Sequence, residues 1–271
     1  DSAIEALRLE LGLDRPAIVR YAAWIAGLFQ GEMGLSYVYR VPVTELIGQR
    51  LHVTLPLAIG AMVVATLASL TLGIFAATNH NRVGDYGVMG FSQLGLAIPD
   101  FWFGILLIIL FAVILHWLPS GGFPGWDDGI WHGVRSLLLP ILTQALSLTA
   151  IMTRVTRSSV LEVAREDYVR TARAKGLSRR AALWGHVLRN ALIPVLTIGG
   201  LLVATVVTGT LVIENVFALP GVGKLIFDAI SNRDLMVVKN VVLLFAAIVV
   251  AVNFVVDILY AMVDPRIRVH T

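Results

Sequence analysis

Residues 54–78 contain no charged side chain. A helix needs about 20 residues, at about 1.5 Å each, to cross a hydrocarbon core of about 30 Å, so this stretch is long enough to span a membrane. Comparable apolar runs recur at residues 86–117, 136–152, 191–213 and 241–263. The chain is 57% hydrophobic and 14% charged, where soluble domains carry about 25% charged residues. These features predict an all-α polytopic membrane protein with five visible spans.

The charges give the spans a direction. Between Arg154 and Arg189 there are nine Arg or Lys against three acids, whereas residues 1–53 carry five bases and six acids and residues 214–240 carry three of each. Basic loops stay in the cytoplasm, so the 154–190 loop is assigned there and the other two segments to the outside. The formal charge of +3 therefore reports topology, and nucleic acid is not expected as a partner. Six Trp and six Tyr suit interfacial anchoring, and the absence of Cys excludes disulfides and thiolate metal sites.

Local signals refine this map. Asp14 and Pro16 start a helix whose Tyr21, Trp24, Ile25 and Leu28 share one face, read as lying on the outer membrane surface. Pro99-Asp100 interrupts the second run near Ile98 and leaves residues 101–116 as the main crossing. Broken membrane helices often line a path, which makes Pro99 and Asp100 candidate pathway residues; the alternative, favoured by the preference of Asp for that position, is that Asp100 caps the helix starting at Phe101. Trp126-Asp127-Asp128 reads as a solvated outer turn rather than a cation or amine site. Pro194 is expected in the first turn of the fourth span, where its missing amide costs little. Gly199-Gly200, Thr205, Thr208 and Gly209 give that span a small-residue face. Asn253 and Asp257 fall inside the fifth span; intramembrane ionisable groups suggest function, but Asp257 is placed to pair with a base of the 154–190 loop.

The most informative stretch is the basic island itself. Leu161, Ala164, Tyr168 and Ala172 recur at helical spacing, Gly176 can adopt the left-handed conformation that ends a helix, and Ser178 can cap the next one. The prediction is a helix, a tight glycine turn and a second helix returning to the bilayer, a shape that fits a partner's groove.

Arg170-Thr171-Ala172-Arg173-Ala174-Lys175-Gly176, followed by Arg189-Asn190-Ala191-Leu192-Ile193-Pro194, resembles the coupling loop of binding-protein-dependent ABC importer permeases of the dipeptide/oligopeptide/nickel branch. The resemblance extends through Leu11-Gly12-Leu13-Asp14, Gly34-Leu35-Ser36 with Pro42-Val43, Met152-Thr153-Arg154 with Arg157-Ser158-Ser159, Pro220-Gly221-Val222-Gly223, and Asn253 through Asp257 and Tyr260 to Asp264-Pro265-Arg266-Ile267-Arg268. The superfamily motif begins Glu-Ala-Ala, with its glycine four residues after the second alanine; counting back from Gly176, Arg170-Thr171-Ala172 stands in that place.

The resemblance implies a type I ABC importer transmembrane fold. It divides the chain into an extracytoplasmic segment (1–53), a permease domain (54–264) and a cytoplasmic tail (265–271). A sixth, N-terminal span is expected to precede this sequence, or else a cleaved signal peptide. The implied partners are a second homologous permease subunit, two cytoplasmic ATPase subunits carrying ATP and Mg, an extracytoplasmic solute-binding protein and membrane lipid, in a bacterial or archaeal plasma membrane. This chain itself is expected to bind no cofactor or metal. Coupling would fall to Glu166, Asp167, Tyr168, Arg170, Thr171, Ala172, Arg173, Ala174, Lys175, Gly176 and Leu177, and an external gate to Glu214, Pro220 and Gly221. Peptide is the expected cargo, with nickel, glutathione and oligosaccharide as alternatives.

Other classes fit less well. Pro220-Gly221-Val222-Gly223-Lys224 mimics a phosphate loop but lacks Gly at 217 and a hydroxyl at 225. An ion-coupled secondary transporter would need midplane charges that the apolar runs almost entirely lack. An intramembrane hydrolase would need a catalytic motif absent from the chain.

Overall fold

A computed structural model describes Glu5 and residues 14–263; the side chains of Asp257 and residues 259–263 lie outside the description, as do motif residues 11–13 and the tail 264–271. The described residues form helices α1 (Ala17–Phe29), α2 (Val43–Thr78), α3 (Val83–Ala97), α4 (Asp100–Leu107), α5 (Ile130–Val163), α6 (Asp167–Ala174), α7 (Arg179–Ala182), α8 (Leu188–Val216), α9 (Val222–Ser231) and α10 (Leu235–Val263). Short π-helical segments continue α4 over Ile108–Ile114 and join α7 to α8 over Leu183–Val187. Among the described residues, four helical stretches are long and apolar enough to cross a membrane: α2, α5, the continuous Arg179–Val216 and α10. α3 and the continuous helix Asp100–Ile114, bent by 103° from one another, are long and apolar enough only as a pair, either as a fifth, broken span or as a re-entrant loop.

The first span is longer than its uncharged run. α2 starts at Val43 because Val43, Leu46 and Ile47 bury themselves against Val222, Leu225 and Ile226 of α9 and Val237 and Val241 of α10. The boundary at residue 53 therefore falls inside a helix. Pro56, within α2, has no N–H to offer the carbonyl of His52 one turn earlier. That carbonyl accepts instead from Trp126 Nε1 at 2.9 Å, so the proline fastens the 117–129 loop onto the span.

α5 is the hub, packed against α2, α3, α4 and α8. Its middle meets α2 and α8 through Ala61, Ala65, Ala145, Leu148, Met152, Val195 and Leu202. Close approach needs small residues: a Cβ on Gly73 would come within 2.6 Å of the Thr156 side chain, and one on Gly200 within 2.6 Å of Val256. Toward the end where α2 begins, Leu57, Leu137, Ile213 and Phe217 form a third cluster.

Three local expectations are corrected. Leu161, Ala164, Tyr168 and Ala172 do not share one helix, because α5 stops at Val163 and Glu166 turns extended before α6. Pro194 lies in a helix interior, not a first turn, because the helix continues back from α8 through the π segment to Arg179. Asp100 makes no side-chain cap; Pro99 occupies the capping position and Asp100 is the first helical residue. On α1, Trp24, Ile25 and Leu28 are half-buried while Tyr21 is exposed. Trp24 donates to Asn240 Oδ1 at 3.2 Å and lies 4.8 Å beneath the ammonium of Lys239, which ties α1 to α10.

Candidate coupling site and gate

At the basic end of the bundle, α6 presents two faces. Val169, 2% exposed, is packed with Ala77, Val160, Ala182, Val187, Leu188 and Ala191, so the short helix is joined to the ends of α2, α5 and α8. Tyr168 Oη accepts from Asn190 Nδ2 at 2.8 Å, a second tie to α8. Arg173, four residues after Val169, shares its bundle-facing side. Asp167, Arg170, Thr171, Ala174 and Lys175 are exposed. The Arg170–Asp167 pair, at 3.4 Å and largely solvated, adds little stability. Asp167 in the first turn and Arg173 in the last both complement the helix dipole.

The turn forms as its residues require. Gly176 has φ +100, a region unfavourable for side chains with a Cβ, and its N–H bonds the Arg173 carbonyl while that of Leu177 bonds the Ala172 carbonyl. Ser178 Oγ then accepts from Ala181 N at 3.2 Å and opens α7. Glu166 and Leu177 flank this exposed loop. The arrangement leaves one face of α6 open to solvent while its other face is fixed to the ends of three long helices.

Beside it lies a cluster that no sequence periodicity marks. Asp85, 1% exposed, receives Arg157 Nε at 2.5 Å and Nη2 at 2.7 Å, and the Asn81 amide at 3.0 Å. His80 Nδ1 is 3.2 Å from Asp85 and 3.1 Å from Arg157 Nη2. Arg157 belongs to the Arg157-Ser158-Ser159 stretch and Asp85 to the first turn of α3, and no local sequence pattern pairs them.

At the opposite end, Glu214 is completely buried. It accepts from Thr54 Oγ1 at 2.6 Å and from the Lys224 amide at 3.0 Å, while Thr54 Oγ1 accepts from the Val222 amide at 2.8 Å. Both side chains thus satisfy the free amides opening α9. A Cβ on Gly221 would collide with the Glu214 carboxylate, which explains the glycine after Pro220. The amides that a phosphate would need are already bonded.

Nearby, Asp234 is fully buried between α9 and α10 and accepts from Ser36 Oγ at 2.5 Å and from the amides of Val38 at 3.2 Å and Val237 at 3.3 Å. Burial pushes its carboxyl up, but these hydrogen bonds outweigh burial and hold it below the usual carboxylate range.

Of the remaining predicted residues, Pro99 forms the extended joint between α3 and α4. Half-buried Asp100 accepts from Ser147 Oγ at 3.2 Å, and its Oδ1 is enclosed with no bonded partner. Asn253 is exposed on α10. The proposed pairing of Asp257 lies outside the described residues.

Comparison with known proteins matches the geometry. A family model described as the binding-protein-dependent transport system inner membrane component fits residues 69–269. The di/tripeptide transport system permease protein DppB of Pseudomonas aeruginosa (strain UCBPP-PA14) is 42% identical over 284 residues, covering 97% of this chain and 84% of that one. The oligopeptide transport system permease protein AppB of Bacillus subtilis (strain 168) is 42% identical over 260 residues, covering 95% and 82%. A chain from inward-facing conformations of the MetNI methionine ABC transporter superposes with a TM-score of 0.67 at 16% identity, over 81% of this chain and 96% of that chain. At that identity the likeness is one of fold.

Proposed function

Since the chain belongs to the family of binding-protein-dependent transport system inner membrane components, we propose that it forms half of the channel of an ATP-driven ABC importer for peptides. The cargo follows its relatives, among them a di/tripeptide and an oligopeptide transport system permease. A second homologous permease completes the channel, and two ATPase subunits on the basic, cytoplasmic side carry ATP and Mg and perform the hydrolysis. A solute-binding protein outside delivers peptide against residues 1–53, 118–134 and 214–240. The C-terminus faces the cytoplasm of a bacterium or archaeon, and the spans lie in lipid of its inner membrane.

One observation carries this reading: α6 is exposed on one face and joined through Val169 to the ends of α2, α5 and α8 on the other. A motor gripping the exposed face, centred on Arg170, Thr171, Ala174 and Lys175, moves those helices as a body. Nucleotide binding that closes the ATPase pair then shifts the bundle between two packed states, because the nucleotide binds one state more tightly. Glu214, through α9, keeps the outer gate element rigid during that movement.

Peptide uptake into sealed proteoliposomes holding the permease pair, with ATPase subunits, ATP and binding protein supplied, tests the proposal. Uptake is expected to need ATP and to survive collapse of the proton gradient. Uptake without the ATPase, or abolished with the gradient, identifies an ion-coupled transporter instead.

A further inference from the structure

At the basic end a cavity of about 560 Å³ lies on the bundle side of α6. One wall is apolar, with Ala77, Val160 and Leu183, and around the other stand Arg173, Arg179 and Arg180. No carboxylate lines this space; the nearby acids Glu162, Glu166 and Asp167 line a different cavity. Among the described residues none of the three arginines has a carboxylate within ion-pair distance. All three are exposed, so the cavity is open on its cationic side. Three cations facing an apolar wall suit a carboxylate carried among apolar groups.

Helix length sets what lies around the cavity. The continuous helix Arg179–Val216 has 38 residues, and a hydrocarbon core of about 20 residues that ended at Val216 would start near Thr197. At about 1.5 Å per residue, Arg179 then stands about 27 Å beyond the core, past a headgroup layer of about 5–8 Å. The cavity is therefore in water, where its neighbour is a soluble surface and not lipid. Trp184, one turn after Arg180, lies about 20 Å beyond the core on the same measure and is 63% exposed. Trp and Arg together, clear of the membrane, have the composition of a protein-interface anchor. The surface is continuous with the exposed face of α6 through Lys175, Gly176 and Leu177, all of them exposed.

We propose that this cavity and Trp184 form a second contact for the ATPase subunit, taking an Asp or Glu side chain of that subunit between the arginines while its apolar neighbours cover Trp184. The exposed face of α6 alone transmits a push toward the bundle. A carboxylate held behind α6 by Arg173, Arg179 and Arg180 also transmits a pull, and passes it through α7 to the long helix that follows. The contact rests on the transport reading above and adds to it a place and a partner chemistry.

Permease pairs in nanodiscs, titrated with their ATPase subunits over a range of salt concentrations, test the contact. R179Q/R180Q is expected to weaken ATPase binding about 30-fold, the lower end of what losing one side of an interfacial charge pair costs, and to flatten its salt dependence. R179K/R180K, which keeps the charge, is expected to recover most of the affinity. A photo-reactive benzoylphenylalanine in place of Trp184, in an otherwise unchanged chain, is expected to cross-link to an ATPase peptide containing Asp or Glu. Equal affinity and salt dependence in wild type and R179Q/R180Q overturn the proposal. Cross-links from position 184 to lipid or to the second permease overturn it too, as does inorganic phosphate that stays bound at the arginines when the ATPase is in place, which would mark a free-anion site. ATPase binding to wild type and ATP-driven peptide uptake read the transport assignment separately. Wild-type binding that is indifferent to the arginine pair removes this contact alone, whereas no ATPase binding to wild type removes both.

Discussion

Arg157 grips Asp85 with two hydrogen bonds, Nε to Oδ1 at 2.5 Å and Nη2 to Oδ2 at 2.7 Å, across 72 residues of sequence. The pair joins the start of α3 to the last turns of α5, just before α6. With Asp85 buried, removing one partner strands a charge.

Asp85→Asn and Arg157→Gln are each expected to destabilise the protein by about 3 kcal/mol, with the double variant losing much less than the sum. A double-mutant cycle on detergent-solubilised protein measures this; additive losses would show that the pair is not coupled.

Glu214→Ala leaves the Lys224 amide and the Thr54 hydroxyl without their acceptor in a fully buried site. The expected cost is about 2–3 kcal/mol, and Thr54→Val is expected to cost about 1 kcal/mol. Hydrogen exchange at residues 222–224 should accelerate in the first variant; unchanged protection would place the stability of α9 elsewhere.

At Gly176, with φ +100, substitution to Ala is expected to cost about 1–2 kcal/mol locally and to loosen the turn after α6. Gly176→Pro, or acidic residues at Arg170 and Arg173, are expected to leave membrane insertion intact while lowering peptide transported per ATP hydrolysed. Simultaneous assay of both rates decides it, and an unchanged ratio argues against a coupling role.

Asp234 has a depressed carboxyl, so its contribution to stability is fully present above the unfolded value of about 3.9 and is lost as pH falls through the lower folded value. Melting temperature followed from neutral pH downward should drop more steeply below about pH 4 in wild type than in Asp234→Asn. Parallel curves would remove Asp234 from the acid response.

Much of this protein could be read from the chain because the relevant properties are local. Apolar length marks the candidate spans, Pro99 breaks the second apolar run, and Gly176 with Ser178 shapes the turn between α6 and α7. Each depends on one residue or one uninterrupted run, so no knowledge of neighbours was needed.

The pairings were decided only by packing. Periodicity pointed to Tyr168 and Ala172 as an apolar face, whereas the break at residues 164–166 rotates α6 so that Val169 is buried. Glu214 meets Thr54 across 160 residues and Trp126 serves the His52 carbonyl across 74, contacts fixed by helix crossings that no sequence period encodes. The chain alone determined which segments are apolar enough to enter the membrane and which loop is basic; the tertiary fold chose which buried polar groups satisfy one another, because a buried charge or amide must find its partner wherever packing brings one.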